Sequence, residues 1–169
     1  MSHDLLQTIH GDHPTIHRLQ SEVRDASKLE KLINILIPHE IAEELVLFEI
    51  ARKLPGGRAV VKERLSEQVK IEEQLDAIAK SDNQKYQLAK IEQLYSDINR
   101  HCASEEKTVL KLLADQCSEA SLKKILTNFL RIKSFGDADT SDIYPPIRFL
   151  GPASNLSNNM RLKAKIEII

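Results

Sequence analysis

Charge of one sign is the first thing this chain lacks. Its 24 Lys and Arg stand against 25 Asp and Glu, a formal net charge of −1. With no basic excess there is no electrostatic footprint for nucleic acid or an anionic membrane, and neither is expected as a partner. Long hydrophobic runs are missing too: no stretch approaches the roughly 20 apolar residues that cross a bilayer. The opening MSHDLLQTIHGDH has no basic segment followed by an apolar run, so a secretory signal is not expected. Cysteine is scarce. Cys102 and Cys117 share no metal-type spacing, and as free thiols they fit a reducing cytoplasm, the expected setting. Val and Ile do not alternate with polar residues, which argues against a sheet. Glycine and proline are few, five and six, several of them late in the chain or at apparent helix boundaries.

What is present reads as helix. At 169 residues, 41% apolar and 29% charged, the chain has an ordinary soluble composition and enough length for one substantial core. Four long amphipathic segments come first. Segment one, about Ser2 to Asp25, steps through Leu5, Leu6, Ile9, His13, Ile16, Leu19 and Val23 at three- and four-residue intervals. Ser2 is a plausible N-cap, and Pro14 should kink this helix or mark its true first turn. Segment two covers about Ser27 to Lys53, with a bend expected just before His39 at Pro38, and the PGG at 55–57 stops it.

Segment three runs from about Ala59 to Lys80, with Val69 in its stripe, and SDN at 81–83 ends it and can cap the next helix. Segment four spans about Gln84 to Ala114, with Leu88, Ile91, Leu94, Ile98, His101, Cys102 and Glu105 on its stripe. A shorter fifth helix covers about Ser118 to Ile132. The text after Ser134, FGDADTSDIYPPIRFLGPASNLSNN, is rich in Gly, Pro, Asn, Asp and Ser and reads as an irregular tail. Short links force neighbouring helices antiparallel. The expected fold is therefore all-α: an up-down-up-down four-helix bundle with a short fifth helix (1–134), then an irregular C-terminal tail (135–169).

Histidine and glutamate interrupt the apolar stripes in a repeated way. PHEIAEELVLFEIAR in segment two puts His39 four residues before Glu43, and HCASEE in segment four puts His101 four before Glu105. Each Glu is followed by a second, Glu44 and Glu106. Residues four apart share a helix face. Buried imidazoles and carboxylates without compensation are costly, so two such pairs facing across a core, joined by His13 of segment one, call for a partner. Imidazole suits Fe, Zn, Cu and Ni, while carboxylates bridge two hard cations and cancel their charge. A single HxxxE on a helix is ordinarily a surface ion pair, and it is the doubled pattern on alternate helices that points to metal. Weaker features read as packing or surface: Cys102, Tyr86 and Tyr95 as packing, KERLSEQVKIEEQ as a solvated face, His3 and His10 as surface or N-terminal-turn residues.

IHGDHPTIHRL, PHEIAEELVLFEIAR and HCASEEKTVLKLLAD together resemble the hemerythrin-like, or HHE cation-binding, domain over about Ser2 to Asp115. The resemblance implies a four-helix bundle holding two iron ions, a non-haem di-iron centre, with other divalent metals possible. By position it implies His13, His39, Glu43, His101 and Glu105 as ligands. Segment three departs from the family: SEQVKIEEQL puts Gln68 where a histidine belongs. Glu72, one turn on, is the expected replacement ligand, with His17 the next candidate. The implied function is the handling of dioxygen, peroxide or iron through binding, sensing, storage or detoxification, with dioxygen or a related small molecule as partner. The competing class is a helical interaction module that has lost one or both metals. A zinc hydrolase would need an open position and a general base, which a double-carboxylate pattern fits less well.

Overall fold

The computed structural model describes residues 3–136 and 153–168. These are all-helical, with no strand among them. Helix α1 spans His3–Glu22. After a short 3₁₀ turn, α2 starts at Leu29–Ala42, passes through a π-helical turn at Glu43–Leu47 and ends with Phe48–Ala51. Helix α3 is Gly57–Lys80 and α4 begins as Gln84–Glu105. Like α2, α4 passes through a π-helical turn (Glu106–Leu110) before its last stretch, Lys111–Gln116. Helix α5 is Glu119–Ser134 and α6 is Ala153–Ile168. No helix among the described residues is long and apolar enough to cross a membrane.

The boundaries follow local chemistry. Asn83 accepts the Tyr86 N–H at 3.0 Å and caps α4, as SDN predicts. Ser118 does the same for α5, accepting from Ser121 N–H at 3.2 Å. In the PGG turn Gly56 takes a left-handed φ of +79°, which glycine adopts without steric cost. Gly57 then passes so near α2 that a Cβ would lie 1.8 Å from the Ala51 carbonyl oxygen. Helix α1 runs unbroken through Pro14 and starts well before it, so that proline is not in a first turn. Ser2, the expected cap, lies outside the described residues.

Helices α3 and α4 pair extensively, while α2 sits centrally and packs against α1, α3, α5 and α6. The core is built from the expected stripes, including Ile9, Ile16, Leu32, Leu36, Leu75, Leu94 and Ile98. Val69, Leu88 and Tyr86 are exposed instead.

One expectation fails over its second half. The irregular tail of 135–169 is helical over Ala153–Ile168, while 137–152 lies outside the described residues. Ala153, Leu156, Ser157, Met160 and Ala164 are buried, a stripe at helical spacing made mostly of small residues. Helix α6 lays that stripe on α2 and α3. Arg161 adds a two-pronged ion pair to Glu44, with Nε donating to Oε1 at 3.1 Å and Nη2 to Oε2 at 2.8 Å. Tertiary packing here overrides the weak helix propensity of Ser and Asn.

A candidate metal centre between α1, α2 and α4

Three helices aim polar side chains at one another inside the apolar core. His13 comes from α1, His39 and Glu43 from α2, and His101 and Glu105 from α4. The three histidines are each 2% exposed, and Glu43 and Glu105 are fully buried. Ligand atoms from His13, His39, Glu43 and Glu105 lie within 4.8 Å of one another, the one such buried group among the described residues. His101 stands beside them, with Nε2 4.0 Å from Glu43 Oε2. On the other side His39 Nε2 is 2.6 Å from Glu43 Oε1. Each oxygen of Glu43 therefore faces a different histidine. His13 Nε2 is 3.5 Å from Glu105 Oε2.

The inward atoms are unsatisfied. Nε2 of His13, His39 and His101, Oε1 of Glu43 and both oxygens of Glu105 are buried without a directed hydrogen bond. Orphaned polar atoms in a core each cost about 1–3 kcal/mol, and six facing one another need a common partner. The outward ring nitrogens are, by contrast, all held. His39 Nδ1 is 2.9 Å from Asp12, His13 Nδ1 is 2.7 Å from Glu106, and His101 Nδ1 is 2.8 Å from Glu67. A carboxylate only accepts, so each Nδ1 carries a proton and each Nε2 is left as the ring atom that can bind a metal once its own proton is lost. Carboxylate, histidine and metal in line is how such ligands are oriented. The donor set of three imidazoles and two carboxylates fits a cation.

Without a metal, protons do part of that work. Burial opposes a charged His39, but the close Glu43 charge and the hydrogen bond to Asp12 outweigh it and push its pKa up to about 10. Burial likewise opposes a charged His101, and Glu43 and Glu67 raise it to about 10. Burial and the Glu43 charge push Glu105 up to about 7. Glu43 itself is held well below the usual carboxylate range: burial opposes ionisation, but His39 and His101 overcome it. A metal must displace these protons, so binding releases them and tightens as pH rises. Between pH 6 and 9 the affinity should rise about tenfold per pH unit for each proton released. Competition titrations at several pH values measure the slope, and a pH-independent affinity would exclude these histidines as ligands.

The α3 residues behave differently from expectation. Gln68 does reach the centre: its Nε2 donates to Glu43 Oε2 at 2.8 Å. Glu72 does not join the cluster. Four residues carry it about 6 Å along the helix axis, where it faces α6 and lies 3.9 Å from Arg161 Nη2. Helix α6, read as an irregular tail, supplies the charge that Glu72 meets. His17 is exposed on α1 and is no substitute either. His10 is half exposed and lies 3.2 Å from Glu106, while the side chain of His3 is outside the described set.

Asp12, Glu67 and Glu40 escaped the sequence reading. Asp12 had a signal, since it directly precedes His13. Glu67 lies in the stretch read as a solvated face. Glu40 follows His39, is 3% exposed, and leaves one carboxylate oxygen unpartnered. Burial pushes its pKa up to about 8, so it is mostly neutral at pH 7. The twin HxxxEE motifs also diverge at their last residue: Glu106 holds His13, whereas Glu44 pairs with Arg161. Both motifs run into a π-helical turn, at Glu43–Leu47 and Glu106–Leu110. Such turns gather at functional sites because the extra residue re-aims the side chains around it.

Among known families, the model described as the hemerythrin HHE cation binding domain matches residues 4–113. In the same comparisons no curated protein and no solved structure matches the chain.

Proposed function

Because the chain belongs to the hemerythrin HHE cation-binding family, we propose that it is a non-haem di-iron protein handling dioxygen, peroxide or iron itself. The observation carrying this reading is the set of six buried, unpartnered ligand atoms backed by three carboxylate-held Nδ1 atoms. Helices α1 to α4 would form the up-down-up-down bundle that frames them. His13, His39, His101, Glu43 and Glu105 would hold the metal. Glu43 would serve both sides of the cluster, because its two oxygens face different histidines, and Glu105 would add the second carboxylate. Two iron ions there would supply reversible electron exchange with a small oxidant.

The residues of this chain do the rest. Asp12, Glu106 and Glu67 fix the imidazole planes. Buried apolar residues one turn from the ligands on the same helix faces (Ile9, Leu36, Leu47 and Ile98), with Phe129 edge-on to His39, would keep bulk water from the polar cluster. Gln68 donates to the Glu43 oxygen on the His101 side and would hold that carboxylate in place where the family resemblance implies a histidine. The expected setting remains the cytoplasm.

Adding dioxygen to anaerobically iron-loaded protein tests this reading. A near-ultraviolet charge-transfer band should appear within the mixing experiment and bleach on reduction with dithionite. Iron that is bound but spectrally inert to both dioxygen and peroxide would overturn the redox reading and leave a cation-binding bundle.

A further inference from the structure

Behind each carboxylate that holds a metal-facing histidine stands another nitrogen group. Glu106 has His10 at 3.2 Å. Glu67 has the buried Arg64, whose Nη2 lies 3.0 Å from Oε1. Asp12 has Lys133, whose Nζ donates to both carboxylate oxygens at 2.6 Å. The third differs from the other two in origin. His10 and Arg64 lie within the family match over residues 4–113, whereas Lys133 comes from α5, beyond it. The same helix touches the centre a second time. Phe129, four residues before Lys133 and hence on the same face, sets its ring edge-on to His39 with centroids 5.8 Å apart.

From this geometry we infer that Lys133 is a positioning residue of the metal centre, acting on His39 through Asp12, so that α5 belongs to the site rather than merely covering it. This rests on the metal-centre reading above. The physical argument concerns where Asp12 would otherwise go. Its side chain is partly exposed, at 16%, and water competes for its oxygens. A lysine gripping both of them holds the carboxylate in the one orientation that accepts from His39 Nδ1. The His39 ring is then fixed with Nε2 inward. Lys133 also draws charge from Asp12, which moderates how strongly that carboxylate pulls on the imidazole proton and therefore how strong a donor Nε2 is.

Cobalt(II), whose visible bands report ligand geometry, serves as the probe on the full chain. Lys133→Met should weaken cobalt binding by about tenfold, within the range seen when the residues supporting metal ligands are lost, and should shift the visible bands. Lys133→Arg should restore both. Asp12→Asn should weaken binding as well, and adding Lys133→Met to it should cost nothing further, because the lysine acts through the aspartate. A Lys133→Met protein that melts earlier without metal, yet binds cobalt with unchanged affinity and bands, would reduce Lys133 to a strut between α5 and α1 and overturn the inference. So would fully additive losses in the double variant. Wild-type chain that takes up no cobalt and no iron would overturn the metal-centre reading itself, and the inference with it.

Discussion

Glu43→Ala should all but empty the centre of metal, with affinity falling by more than about 100-fold. Residues that only support metal ligands already cost 10- to 100-fold when removed, and Glu43 does more than support. Its two oxygens face His39 at 2.6 Å and His101 at 4.0 Å, and it also accepts from Gln68. The substitution removes the carboxylate that lies between His39 and His101, and it leaves both without the charge that sustains their protonation. Melting temperatures with and without metal should separate the effects, because a metal bound only by the folded state stabilises it by mass action. The wild type should gain stability on loading and the variant should not. His17→Ala, on the exposed face of α1, should change neither quantity.

Phe129→Ala should be the most destabilising of the single changes considered, at about 3–5 kcal/mol in denaturant unfolding. Phe129 is fully buried on α5 and packs edge-on against His39. Truncation opens a cavity beside a polar cluster, so water can enter where the apolar shell now excludes it. Metal affinity should fall as well, since His39 loses the wall that holds its ring. Phe129→Leu should recover most of the stability, because it refills much of the volume. An unfolding free energy within about 1 kcal/mol of wild type for Phe129→Ala would mean that α5 is not part of the core.

How far the sequence carried the reading depends on the element. His39, Glu43, His101 and Glu105 were legible because their spacing repeats on two helices and breaks an otherwise apolar stripe, a pattern with a cost that something must compensate. His13 was legible only jointly with them. The all-helical class followed from stripes at helical spacing with no alternation. Helix α6 was not legible: its buried face is Ala, Leu, Ser, Met and Ala, set among Asn and Ser residues that signal loops, and it forms because α2 and α3 offer a groove and Glu44 a counter-charge for Arg161.

Missing α6 misdirected the reading of Glu72, expected one turn on from Gln68 to replace the absent histidine, when it had Arg161 nearby. The π-helical turns were invisible for a different reason. A helix that inserts one residue leaves no mark in composition, only a change of phase after the EE pair. The carboxylates behind the histidines belong to pairings from one helix to another, Glu67 to His101 and Asp12 to His39. A single sequence carries no record of such pairings beyond proximity along the chain, which is why Asp12 left a hint and Glu67 did not.

The central claim is that the buried histidine and carboxylate cluster is a two-iron centre. Elemental analysis of the full chain, reconstituted with ferrous iron under anaerobic conditions and freed of loosely bound metal, tests it most directly. The account predicts about two iron atoms per chain, lost in Glu43→Ala. A wild-type chain that retains no transition metal after reconstitution would contradict it.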